Sequence, residues 1–189
     1  MAIRFFQWSR SKTKRAITVA VFLAVLLIAG GAATLQTLNQ QDATQYNDQL
    51  NQIRNTASVE NIFGNNLFLA LICFVPVWGW IQGTGTMYNS GLSLVAESML
   101  GPASLRGISP LILYLSYWFF PFFWLEVICF AIALSESFWL MVRGLQSLSG
   151  EKVSFKKELR NASTLITIIT LTLLISALIE MAFIIALNG

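Results

Sequence analysis

Charges in this sequence fall in clusters, and between the clusters run stretches of more than about 18 residues with almost none. A stretch of that kind is long enough to cross a bilayer as a helix. A bilayer offers no water to unpaired peptide groups, so a chain that enters it must close its hydrogen bonds within helices or a closed barrel. Composition points the same way. The 189 residues are 56% hydrophobic and 11% charged, with a mean hydropathy of +0.65, where a soluble domain carries about 25% charged residues. The expectation is an all-α polytopic bundle of about five spans, one membrane domain over 1–189, with no separate soluble domain.

Residues 1–15 hold Arg4, Arg10, Lys12, Lys14 and Arg15 and no acid. An apolar run from Ala16 to about Leu38 follows. The basic flank, apolar run and small residues Gly30 to Ala33 share features with a secretory signal, but the reading adopted is a retained first span. The positive-inside rule then puts the N-terminus in the cytoplasm. Residues 39–61, rich in Asn, Gln and Asp, read as an external polar loop, with a short helix extending the first span as a variant. A second span is expected from Ile62 to about Ile81. It leads through Gly79, Gly83 and Gly85 to a weaker third span, about Thr86 to Leu100, closed by the Gly101-Pro102 turn.

The apolar stretch from Ile108 to Val142 would extend roughly 50 Å as one helix, against a hydrocarbon core of roughly 30 Å. Pro121 divides it. A broken or re-entrant segment up to Phe120 is expected, followed by a span from about Phe122 to Val142. Residues 143–160 carry Arg143, Lys152, Lys156, Lys157 and Arg160 against Glu151 and Glu158, which makes them a cytoplasmic basic loop. The last span, about Ala162 to Leu187, leaves an external C-terminus. Four crossings between the two basic segments keep both on one side, which agrees with five spans. Trp8, Trp78, Trp80 and Trp139 are expected in an aromatic belt at the cytoplasmic interface. The tripeptide Asn161-Ala162-Ser163 matches a glycosylation acceptor but falls on the wrong side of this topology.

The function classes narrow next. Histidine is absent, which removes the commonest general base and metal ligand. Cys73 and Cys129 lie in apolar stretches without metal spacing and read as buried packing residues. No cofactor and no metal site is expected. The basic residues are juxtamembrane, so no nucleic acid is expected either. The lipid bilayer is the first partner, with other membrane proteins or further copies of the chain beside it.

Polar groups inside spans are the informative positions, because an acidic residue at a helix centre costs roughly 2.5–3.5 kcal/mol to insert. On this topology Asn65 and Asn66 lie about one turn below the external surface, and Glu97 lies within a turn of the same level. Glu126 sits about 25 Å along its helix from Arg143, and Glu180 precedes the C-terminus by about two turns. Five polar residues therefore converge in the outer half, with Arg106 the nearby cation. The convergence reads as a pocket for a cation, a proton or a partner's basic side chain, or as hydrogen-bonded glue between helices. Glu136, nearer the cytoplasmic face, is expected to pair with a basic side chain. Asn89 and Gly91 could line a cavity where the third span unwinds, or pack closely against a neighbour.

Asn65-Asn66 at the start of the second span, Asn89 with Gly91 in the third, and Pro121 followed five residues later by Glu126 together resemble the stage II sporulation protein M family. That family carries an Asn-Asn pair, an Asn-Gly, and a Pro-His-Gly-x-x-Glu motif at a broken helix. Here Ser90 separates Asn89 from Gly91, and Phe122 and Phe123 stand where the family has His and Gly. The resemblance covers the order of elements from Ile62 to Val142. It implies a polytopic scaffold that assembles with partners.

The leading expectation is thus a non-enzymatic scaffold or accessory subunit of a membrane complex in the plasma membrane of a prokaryotic-type cell. A permease or channel subunit moving a small solute or cation past the outer carboxylates is the alternative. An intramembrane enzyme would have Glu97 and Glu126 as its acid–base pair.

Overall fold

A computed structural model describes residues 12–150 and 153–188. Among these residues all regular structure is helical: α1 (Lys12–Ala33), α2 (Gln40–Asn55), α3 (Val59–Cys73), α4 (Trp78–Leu100), α5 (Pro110–Tyr117), α6 (Pro121–Leu148) and α7 (Phe155–Asn188). Three of them, over Thr13–Ala33, Pro121–Leu148 and Glu158–Ala186, are long and apolar enough to cross a membrane. Helix α3 is apolar but has 15 residues, a rise of about 22 Å. Helix α4 has 23 residues and would reach about 34 Å, but Gln82, Asn89, Ser90, Ser93 and Glu97 dilute its apolar character.

The bundle is built around α6, which packs on α1, α3, α4 and α7 and is mostly buried. Helix α1 lies along α4 and α6, α3 fills the space against α4, α6 and α7, and α2 lies over α4. One apolar core joins Leu26 of α1, Ala70 and Cys73 of α3, Met87 of α4, Val127 to Leu134 of α6, and Ile169 and Leu173 of α7. Both cysteines are free and buried in it, as expected.

Several boundaries differ from the sequence reading, each for a local reason. Residues 39–61 are not a loop. Asn39 caps α2 by accepting the Asp42 N–H at 2.8 Å, and the chain breaks between Ala33 and Gln40, so α2 is separate from the first span. The apolar helix expected over Ile62 to about Ile81 ends early, at Cys73, and the chain reverses over 74–77. Trp78 N–H donates to the Pro76 carbonyl at 2.8 Å while Val77 sits at φ 67°, ψ −57°, a γ-turn of the rarer hand. Gly79 and Gly83 are therefore helix positions rather than a linker. A Cβ at Gly79 would press on the Ile72 and Cys73 carbonyls, and one at Gly83 would lie 3.1 Å from Cys73 Sγ. They let α4 fold back against α3.

The break before Pro121 is present. Helix α5 stops at Tyr117, and Pro121 opens α6 at its first turn, where proline's missing N–H is harmless. The basic segment 143–160 is mostly helix, since α6 runs on to Leu148 and α7 starts at Phe155. Asn161-Ala162-Ser163 lies within α7. Trp139 is buried and donates to Thr18 Oγ1 at 3.1 Å, and Trp80 packs between Phe22 and Phe138. Those two are core residues, and only Trp78 of the described three is exposed. Trp8 lies outside the described residues, as does most of the basic N-terminal run.

Helix α7 is rich in hydroxyls. Ser163, Thr164, Thr167, Thr170 and Thr172 each donate to the carbonyl four residues back.

Candidate functional site

The polar residues form three groups at different places in the bundle. The first gathers around Glu126, just over one turn into α6, where that helix faces α3 and α7. Asn66 Nδ2 donates to Glu126 Oε1 at 2.7 Å. Ser176 Oγ lies 3.2 Å from the same oxygen and 3.1 Å from the Phe122 carbonyl, so its one proton serves either acceptor. The Glu180 carboxyl, one turn beyond Ser176, interacts directly with that of Glu126. Cys129 and Thr172 lie beneath. Two carboxyls, an amide and a hydroxyl thus share one layer between α3, α6 and α7.

The second group is at the far end of α4. Glu97 is only 3% exposed and sits in the last turn, where helix carbonyls already concentrate negative charge. Its partner is Arg54, from the last turn of α2, which donates to it in an ion pair. Arg106, expected to be the cation of this region, instead donates to the Gly101 carbonyl at 3.0 Å. Tyr117, at the end of α5, lies within electrostatic reach of Glu97, Arg54 and Glu180.

The third group ties the start of α1 to α6 and α7. Arg15 donates to Glu136 at 2.5 Å and to Glu158 at 3.1 Å. Arg143 Nε stands 3.6 Å from Glu158, an ion-pair distance beyond a hydrogen bond. The guanidinium of Arg15 also faces the Trp139 ring at 6.0 Å, and Thr18 and Ser135 share a hydrogen bond of 2.6 Å beside it. The expected basic partner of Glu136 is therefore Arg15.

Not every expected site residue joins a group. Asn65 is exposed and makes no contact with its neighbour's cluster, because adjacent positions on a helix point about 100° apart. Asn89 lies on the α2 side of α4, where Tyr46 Oη approaches its side chain at 3.4 Å. Helix α4 is unbroken there, so no unwound segment opens a cavity; Asn89 instead borders a gap of about 430 Å³ against α2, shared with Leu38, Asp42, Gln45, Tyr46, Gln49 and Leu92. Gly91 lines none. A Cβ there would collide with the Gly30 carbonyl and the Ala33 methyl, so Gly91 serves the contact between α4 and α1. Tyr114 of α5 closes the same seam, donating to the Leu27 carbonyl at 2.9 Å. Glu97 and Glu126 belong to separate hydrogen-bond groups on different helices. Among the described residues no three His, Cys, Asp or Glu side chains are placed to hold a metal ion.

Arg54, Ser176 and the Arg15–Glu158 contact were missed in the sequence. Each is a pairing over a long sequence separation. The only hint was that buried acids need partners.

No protein-family model, curated protein or solved structure matches this chain.

Proposed function

We propose that the chain is a non-enzymatic integral membrane scaffold, an accessory subunit that assembles with other membrane proteins. The observation that carries this reading is the outward face of α1. Ala16, Ala20 and Ala24 recur at every fourth position and are exposed, flanked by the exposed Ile17, Val21 and Val25, and Ile28 ends the row. Lipid tails pack as well on leucine as on alanine, so lipid alone gives no reason for small residues there. Small residues on a membrane helix let a second backbone approach closely. The bundle uses the same device internally, where Gly30 and Ala33 meet Gly91.

About five crossings in a plasma membrane, with a cytoplasmic N-terminus and an external C-terminus, fit this reading. Counting α3 and α4 as crossings makes an even number between the start of α1 and the end of α6. The contacts of Arg15 with Glu136 and Glu158 bring those ends together. The likeness to the stage II sporulation protein M family gains support from Asn66 and Glu126, two of the residues that carry it, which touch.

Purification from the native membrane in mild detergent tests the proposal, combined with cross-linking from Ala20→Cys. A stoichiometric companion that cross-links through position 20 is expected. A lone monomer with no cross-link at that face overturns it.

A second reading, a permease or channel subunit, is favoured by the oxygen-rich group of Glu126, Glu180, Asn66 and Ser176, which suits a cation or proton. Proteoliposomes test it. Flux abolished by Glu126→Gln supports it, and no flux of cations, protons or small solutes refutes it.

A further inference from the structure

The end of α4 is built to receive guanidinium groups, and it already holds two. Arg106 binds the carbonyl of Gly101 at 3.0 Å, and Arg54 binds the carboxylate of Glu97. Glu97 is nearly inaccessible and stands at the negative end of its own helix, an unfavourable place for a carboxylate. A cation is therefore a requirement of this pocket rather than an ornament. Gly101 keeps it open, since a Cβ there would lie 2.8 Å from Glu97 Cγ.

The helix that delivers Arg54 is poorly seated. Of the residues of α2, Ala43 alone is buried, and the rest of the helix is mostly Gln, Asn, Asp and Thr. Its other polar tie to α4, Tyr46 to Asn89, is long and exposed. Between the two helices remains the cavity of about 430 Å³, lined by Asp42, Gln45, Tyr46, Gln49 and Asn89 with two leucines. A helix seated by one ion pair, one long hydrogen bond and a single buried side chain, with a cavity beneath it, is a displaceable occupant.

We propose that the Glu97 pocket is a receptor for an arginine side chain of a partner protein, and that α2 keeps it closed by supplying Arg54 in its place. The identity of the ligand as a partner's side chain rests on the scaffold reading. The pocket's preference for guanidinium does not.

The test uses the purified full chain in detergent with N-acetyl-arginine amide as the probe and N-acetyl-citrulline amide as its uncharged counterpart. Arg54→Ala lowers the melting temperature, and millimolar arginine amide restores most of the loss saturably, while the citrulline compound does not. Adding Glu97→Gln to Arg54→Ala abolishes the rescue. Equal effects of the two compounds, or rescue that survives Glu97→Gln, overturn the proposal. Should Arg54→Ala fail to fold, spin labels at Gln49→Cys on α2 and Ser90→Cys on α4 in the otherwise native chain report displacement directly. Arginine amide is expected to broaden and lengthen their separation, and an unchanged distance overturns the proposal. None of these outcomes depends on finding a partner, so the scaffold reading stands or falls separately.

Discussion

The two ends of the bundle solve the same electrostatic problem differently. At the Arg15 end, two buried carboxylates, Glu136 and Glu158, meet two arginines from different helices, and Trp139 and Thr18 brace the assembly. Three long helices are cross-tied there. At the Glu97 end one buried carboxylate depends on one arginine, brought by a helix with a single buried side chain. A network with several ties survives the loss of any one contact as a shape, although not as a stability. A single tie is an equilibrium between joined and parted states. On the displacement proposed above, the Arg15 end is the fixed part of the molecule and the α2 end the part that changes.

Breaking the ties in turn tests this contrast. Cys73 and Cys129 are buried and free, so their reactivity toward a thiol dye during unfolding in detergent provides a native readout. The largest loss is expected for Arg15→Leu, which strands two buried carboxylates and should cost about 3 kcal/mol. The partial exposure of Arg15 and the nearness of Arg143 keep the loss from being larger. A cost under about 1 kcal/mol would mean that the Arg15 end is no firmer than the other.

Gly91→Leu comes next. It forces α4 from the Gly30 carbonyl at about 2 kcal/mol, whereas Gly85→Leu, with open space around it, should cost little. Equal effects at the two positions would remove the close α1–α4 seam. Arg54→Ala should cost about 1.5 kcal/mol, because the arginine is partly exposed. It should also speed proteolysis within α2 without exposing the cysteines. Cysteine exposure in step with α2 cleavage would show one cooperative unit and erase the contrast. Asn66→Leu, which removes one interhelical hydrogen bond to Glu126, should cost about 1 kcal/mol.

The smallest effect belongs to the start of α3. Ser58 caps that helix by accepting the Asn61 N–H at 3.2 Å, and Ser58→Ala should cost about 0.5 kcal/mol. Hydrogen bonds from its own backbone N–H and from Ser58 hold the Glu60 carboxyl below its ordinary value. The stabilisation from Glu60 is therefore present above the unfolded carboxylate range and is lost as pH falls through the lower folded value. Ser58→Ala should move the Glu60 titration upward by NMR, and an unmoved titration would refute the Ser58–Glu60 hydrogen bond.

The sequence made the class legible because charge-free length is an additive property that needs no knowledge of contacts. The break at Pro121 was legible for a similar reason, as proline acts on its own backbone. The turn at 74–77 was misread. Gly79, Gly83 and Gly85 looked like punctuation, yet all three lie inside α4, where Gly79 and Gly83 serve close packing and Gly85 faces open space, and Pro76 with the γ-turn at Val77 ends α3. The cap of α2 was present in Asn39 and Asp42, but a helix with so few apolar positions gives little periodic signal. Depth along each helix correctly put Glu126 and Glu180 near one level. Depth carries no azimuth, however, so it could not exclude Asn65 or assign Arg54 to Glu97.

Helix α7 carries a consequence for how such a chain enters a membrane. Its threonines and serines count as polar while the segment is extended, because each hydroxyl then seeks water. Once the helix forms, five of the six, all but Ser176, turn their protons onto the carbonyl a turn behind. What remains outward is largely methyl and methylene. The segment therefore becomes more oily by coiling, and its partition into lipid and its helix formation drive each other forward.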